Sequence, residues 1–328
     1  MSTTLILPSV LLIIGLALLV WSSDVFIEGA ASTALRYNVS PLIIGVVIIG
    51  FGTSSPEMIV AVMASLEGNP GLAIGNAVGS NITNIGLVLG VTALLAPIIV
   101  KSSVLKRELP VLLVVTALGI ALLLDHKLGV WDGVILLTTL VGILIWMIKT
   151  NKNIATGDAL AEDVNRELSE LPKLSKVKSF VFLFGGLILL MIAARMMVWG
   201  AVEIAEFFQV PDLIIGLTII AIGTSLPELA AAITAALKNE VDMMIGNILG
   251  SNLFNLLAVL AVPAILAPSL IDTAVLQRDY PIMLAFTVAM LLVALPRKGN
   301  AVISRIEGFL LLALFVGYLT LLYFNTVS

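Results

Sequence analysis

The sequence predicts an all-α membrane protein of ten transmembrane helices in two inverted-topology repeats of five. Three observations carry this: a composition that water cannot solvate, about ten apolar stretches of spanning length, and two motif blocks that recur at one fixed offset. The 328 residues are 60% hydrophobic and only 12% charged, with a mean hydropathy of +1.15. A soluble domain carries roughly 25% charge, so lipid is the expected solvent.

Composition also excludes several classes. A net charge of −4 gives no nucleic-acid partner. The absence of cysteine removes disulfides and thiolate metal sites. His126 is the single histidine, so a bound metal must be one that takes oxygen ligands.

Along the chain, the apolar run from Leu5 to about Trp21 has no basic segment before it and exceeds a signal-peptide core. It reads as a retained span. Candidate spans follow near 5–27, 41–65, 71–98, 107–124, 130–149, 179–207, 213–237, 243–267, 279–295 and 304–324. The fourth carries Glu108 and Pro110 at its start. One long polar stretch, from about Thr150 to Lys178, splits the spans five and five. The expected units are therefore 1–149, a linker at 150–178, and 179–328. Within the linker, Leu160, Val164, Leu168 and Leu171 recur about once per helical turn, which predicts a short amphipathic helix.

Charge sets the orientation. Alternate loops put fourteen of the seventeen Lys and Arg on one side and only Lys127 and Arg278 on the other, with Arg195 inside a span. The basic side, including the linker, is expected to be cytoplasmic and both termini extracytoplasmic.

The internal repeat decides the arrangement. Gly52-Thr53-Ser54-Ser55-Pro56-Glu57 aligns with Gly223-Thr224-Ser225-Leu226-Pro227-Glu228 at an offset of 171. The same offset, without a gap, aligns the block from Gly75 to Asn84 with that from Gly246 to Asn255. Five spans per half is an odd number, so the second copy enters the membrane upside down. Inverted repeats with Gly/Pro-interrupted segments in matching places mark secondary transporters.

Chemistry concentrates in those blocks. Glu57 and Glu228 fall near mid-span, where an ionised carboxylate is costly unless paired or hydrated. Arg195 is the single basic residue inside a span and pairs with one of them at most. Two midplane carboxylates suit a divalent cation. Pro56 and Pro227 lack the N–H that would bond the carbonyl four residues back. The helices are expected to loosen there, hinge-like, turning the Gly52–Thr53 and Gly223–Thr224 carbonyls toward a cavity. Carbonyl, hydroxyl and carboxylate oxygens are ligands that Ca²⁺ takes. Ser80 and Asn84, and likewise Ser251 and Asn255, are spaced by four and share a helix face. That face offers oxygens without charge, a lining for a monovalent ion. Gly75, Gly79, Gly246 and Gly250 permit close helix approach.

These residues resemble the sodium/calcium exchanger branch of the cation/calcium exchanger superfamily. The resemblance covers nearly the whole chain and rests on the paired G-T-S-x-P-E and G-N-x-x-G-S-N blocks. It implies the sodium/calcium exchanger fold and four central sites in a diamond. Glu57 and Glu228 with the Thr53 and Thr224 carbonyls would form the Ca²⁺ site. Ser54, Ser80, Ser225 and Ser251, with the carbonyls of Gly50 and Ala221, would complete Na⁺ sites, and Asn84 and Asn255 would hold the middle. It also implies alternating access by sliding of the first and sixth spans. Ca²⁺ and Na⁺ are then cargo; no cofactor and no protein partner are expected, only lipid around the helices. Family members often place an aspartate at one of the two positions that here are Asn84 and Asn255, which bears on sodium stoichiometry and on potassium dependence.

The repeat offset also relates Asp24 to Arg195. Arg195 is expected to pair with an acid such as Asp24, Glu28, Glu203 or Glu206 and so hold the sliding helices, or to snorkel to the interface. Three other functions compete with sodium/calcium antiport. Calcium/proton exchange usually places a glutamate where Gly79 and Gly250 stand. A passive channel more often uses rings of like chains. An enzyme is not expected, because the carboxylates lack an accompanying nucleophile or histidine base. A chain of this economy fits a prokaryotic inner membrane.

Overall fold

Backbone groups in lipid must bond within their own segment, so apolar runs of this length become helices. The computed structural model describes residues 3–37, 39–100, 102–154, 174–208, 221–295 and 301–327, and these are almost wholly helical. The helices are α1 (Thr3–Tyr37), α2 (Pro41–Thr53), α3 (Ser55–Leu66) and α4 (Pro70–Leu95). They continue with α5 (Ser102–Leu123), α6 (Val130–Ile154) and α7 (Lys176–Phe207). The last are α8 (Ala221–Thr224), α9 (Leu226–Leu237), α10 (Val241–Leu266), α11 (Val275–Val293) and α12 (Arg305–Val327). Among the described residues, seven helices are long and apolar enough to cross a membrane, and eight if the bent pair α2–α3 is one span.

Some bounds differ from the sequence expectation. α1 does not stop near residue 27 but runs 35 residues, about 50 Å at 1.5 Å per residue. It lies antiparallel along α7, which continues to support it past Asp24 and Glu28. A Cβ at Gly186 would come 2.8 Å from Phe26 Cα, and one at Gly15 would come 3.1 Å from Met197 N, so glycine is what lets the two axes approach. α5 starts at Ser102, five residues before the expected 107, and carries Pro110 inside it. The amphipathic linker residues Leu160, Val164, Leu168 and Leu171 lie outside the described residues, as does the first part of the expected 213–237 span.

α2 and α10 cross parallel to each other at the centre. A Cβ at Gly246 would meet Leu42 O at 2.5 Å and one at Gly50 would meet Gly250 Cα at 2.9 Å. α10 is buried on nearly every side, which explains how a helix with polar Asn247, Ser251, Asn252 and Asn255 sits in lipid: none of these faces the hydrocarbon. Two small ribbons mark the ends. β1 (Ile98–Ile99) pairs antiparallel with β4 (Val302–Ile303), and β2 (Lys127–Leu128) with β3 (Ser269–Leu270). β1 precedes α5 and β2 follows it, so the ribbons cap opposite ends of the bundle.

Candidate ion site

The two glutamates stand just after two matching helix breaks. α2 and α3 meet at Ser54 with a bend of 42°. Ser54 has φ −82° and ψ 5°, and Ser225, between α8 and α9, has φ −90° and ψ 6°. The breaks fall two residues before Pro56 and Pro227. Each proline occupies the first turn of the new helix, where its missing N–H would have had no partner. Glu57 and Glu228 follow in that same turn, where the positive helix end favours negative charge.

Both side chains are buried, at 0% and 1% exposure. Glu57 Oε1 and Oε2 and Glu228 Oε2 have no hydrogen-bond partner. Glu228 Oε1 accepts from Ser54 Oγ at 3.2 Å, a bond between the two halves of the chain. Thr53 Oγ1 donates to Asn247 Oδ1 at 3.2 Å and lies 3.4 Å from Ser251 Oγ. Asn84 Nδ2 donates to Asn252 Oδ1 at 3.2 Å. Asn84 Oδ1, Ser225 Oγ and both polar atoms of Asn255 are buried without partners. Native interiors leave few such groups unpaired, since each costs about 1–3 kcal/mol. Buried oxygens without partners are groups that a desolvated cation could satisfy. Among the described residues no group of three or more His, Cys, Asp or Glu forms a metal cluster.

Among the expected site residues, Ser54 bonds Glu228 and Thr53 lies against Ser251. Glu57, Glu228, Thr53, Ser54, Ser80, Asn84, Ser225, Ser251 and Asn255 are all buried. Gly50 packs on Gly250, Thr224 is half-buried, and Ala221 opens α8. A wide π-type turn starts at Asn84 and another at Asn255, where Leu260 N–H bonds Asn255 O at 3.1 Å. Such turns often sit at functional sites.

Two residues without an assigned role in the sequence complete the frame. Asn76 Nδ2 donates to Glu57 O at 3.1 Å, and Asn247 Nδ2 donates to Glu228 O at 3.2 Å. They are the paired asparagines of the second motif block, so the repeat itself was the signal. A cavity of about 340 Å³ is lined by Asn76, Ser80 and Thr224 together with Arg278, Asp279 and Tyr318. In that lining Arg278 holds Asp279 through Nε at 2.8 Å and Nη2 at 3.0 Å, and Tyr318 Oη donates to Asp279 Oδ1 at 3.2 Å. The same offset aligns Arg107-Glu108-Leu109-Pro110 with Arg278-Asp279-Tyr280-Pro281, a third repeated block.

One expected contact is corrected. Asp24 does not pair with Arg195 but with Lys238, whose Nζ is 2.8 Å from Asp24 Oδ1. Among the described residues Arg195 has no ion pair, with Glu28, Glu203 or Glu206 or otherwise. The reason is the antiparallel register of α1 on α7. Phe26 meets Gly186 and Gly15 meets Met197, so Asp24 stands opposite residue 188, about 10 Å along the helix from Arg195.

Comparison with known proteins agrees with the fold. The family described as sodium/calcium exchanger protein matches residues 7–149 and 178–324, and the chain belongs to that family, one of membrane exchangers and not of enzymes. A relative carrying the name antiporter CaxA, from Alkalimonas amylolytica, is 46% identical over 97% of this chain and 99% of its own. The inner membrane protein YrbG of Escherichia coli is 40% identical over 97% of this chain and 98% of its own. Among solved structures, the sodium-calcium exchanger NCX_Mj soaked with zero Na⁺ and Ca²⁺ superposes with a TM-score of 0.82 at 32% identity, covering 97% of this chain and 99% of that one.

Proposed function

We propose that this protein exchanges Ca²⁺ for Na⁺ across a prokaryotic inner membrane by alternating access. The observation that carries the reading is the pair Glu57 and Glu228, fully buried with three of their four carboxylate oxygens unpartnered. Two ionised carboxylates neutralise one divalent cation, and the Thr53 and Thr224 carbonyls complete its shell. Ser54, Ser80, Ser225 and Ser251, with the Gly50 and Ala221 carbonyls, serve Na⁺, and Asn84 and Asn255 line the centre without contributing charge. Na⁺ and Ca²⁺ then compete for shared oxygens, which couples their movements.

In this reading ten spans form two inverted repeats, 1–149 and 179–328, joined by the cytoplasmic linker 150–178, with both termini outside. The matched breaks at Ser54 and Ser225 and the matched clamps of Asn76 and Asn247 support the repeat relation. Proteoliposomes loaded with radioactive Ca²⁺ test the function under separate Na⁺, H⁺ and K⁺ gradients. Calcium flux driven by the sodium gradient is expected. Flux that follows pH and ignores sodium makes the protein a calcium/proton antiporter, and flux without any counter-ion makes it a channel.

A further inference from the structure

The offset of 171 relates more than the ion site. It carries Asp24 onto Arg195 and Glu67 onto Lys238. The image of the Asp24–Lys238 pair is therefore Arg195–Glu67, the same contact with both charges reversed. The first is made, at 2.8 Å. The second is not: Arg195 and Glu67 are both exposed and, among the described residues, neither has an ion-pair partner.

Packing follows the same division. α1 lies along α9, and Ser23 Oγ is 2.7 Å from Thr234 Oγ1. α7 has no comparable contact with α3. On α9, Ala230 and Ala231 are 8% and 0% exposed, whereas their images on α3 are Ile59, 45% exposed, and Val60, which lines the cavity. The two pairs also belong to opposite ends of the bundle. Glu67 precedes Gly71, which shares the cavity with Arg278, just after β3. Lys238 precedes Asp242, which interacts electrostatically with Glu108, just after β1.

We propose that the two pairs are alternating latches of the transport cycle, an inference that rests on the alternating access proposed above. Asp24–Lys238 holds α1 on α9 while the cavity at the β2–β3 end is open. Arg195–Glu67 holds α7 on α3 when the site faces the other end. The charge reversal gives each latch one mate. α1 and α7 move as a packed pair bearing one acid and one base, and Asp24 against Glu67 or Arg195 against Lys238 would repel. Half-exposed pairs are weak enough to break each cycle and strong enough to bias a balanced equilibrium.

The chain has no cysteine, so Val60→Cys gives a single reporter of the open cavity. The measurement is its reaction rate with a polar maleimide in nanodiscs, with monodisperse elution as the folding control. Asp24→Asn or Lys238→Gln is expected to slow labelling and Arg195→Gln or Glu67→Gln to speed it, each by about two- to fivefold. The exchange Asp24→Lys with Lys238→Asp is expected to restore the parent rate, which a purely packing role would not do. Unchanged rates, shifts of both pairs in one direction, or no restoration by the exchange overturn the latches. Labelling needs no transport, so a parent protein that moves no calcium would defeat the proposed function and leave these rates readable.

Discussion

Ser54 and Glu228 are bonded across the two halves of the chain, Oγ to Oε1 at 3.2 Å, while the repeat-related Ser225 hydroxyl is buried without a partner. Two halves with the same motif thus hold their glutamates differently. By bonding one of its oxygens, Ser54 restricts the rotamer of Glu228.

Removing that hydroxyl separates the halves. A hydrogen bond to a charged group contributes about 1.5–3 kcal/mol, so Ser54→Ala is expected to raise the half-saturating calcium concentration by roughly tenfold or more. Ser225→Ala removes an unpaired group and is expected to have the smaller effect. Calcium titration of sodium-driven flux in both variants compares them, and equal effects would sink the assignment.

Neutralising either carboxylate tests the ligands. Glu57→Gln or Glu228→Gln is expected to abolish calcium flux without loss of folding, because an amide fills the same volume and removes an unpaired buried charge. Thermal unfolding in detergent, with and without calcium, is the check. Both variants should lose calcium-dependent stabilisation.

The asparagine clamps act through the glutamate backbone. Asn247→Ala breaks the bond to Glu228 O and removes the Asn247 Oδ1 acceptor of Thr53 Oγ1. A cost of about 1–3 kcal/mol in stability is expected, together with weaker calcium transport. Asn76→Ala, which touches Glu57 O alone, is expected to be milder. Paired melting and flux measurements rank them.

Close helix crossing is a separate requirement. Gly246→Ala puts a methyl 2.5 Å from Leu42 O, and α2 must move away. Overpacking of this kind costs about 1–3 kcal/mol, so a lower melting temperature is expected. Gly75→Ala meets nothing within 4 Å among the described residues and is expected to melt like the parent.

The buried amides Asn84 and Asn255 make a pH prediction. Asn84 and Asn255 carry no titratable group, and a carboxylate introduced at either position adds one that protonation neutralises. Asn255→Asp is therefore expected to make calcium flux fall more steeply as pH decreases, because the new acid is neutral at low pH. A flux-against-pH profile that matches the parent's would contradict it.

Most of this site was legible in the sequence because a repeated motif is local. Gly52–Glu57 and Gly223–Glu228 announce a broken helix followed by an acid, and the offset of 171 matches their partners. Helix ends were less legible. The first span reads as stopping near residue 27, where charged residues interrupt the apolar run, yet α1 continues, supported by α7 and with Asp24 bonded to Lys238.

By itself, then, the sequence determined the membrane class, the family, and the two repeated blocks that hold the candidate oxygens. These depend on composition and on short-range spacing. The tertiary structure alone decided which of those oxygens are satisfied, why Asp24 meets Lys238 and not Arg195, and why α9 is covered by α1 while α3 faces a cavity. Symmetric motifs cannot encode an asymmetric contact. That choice is made by helices far apart in sequence, whose packing satisfies one half of the repeat at a time.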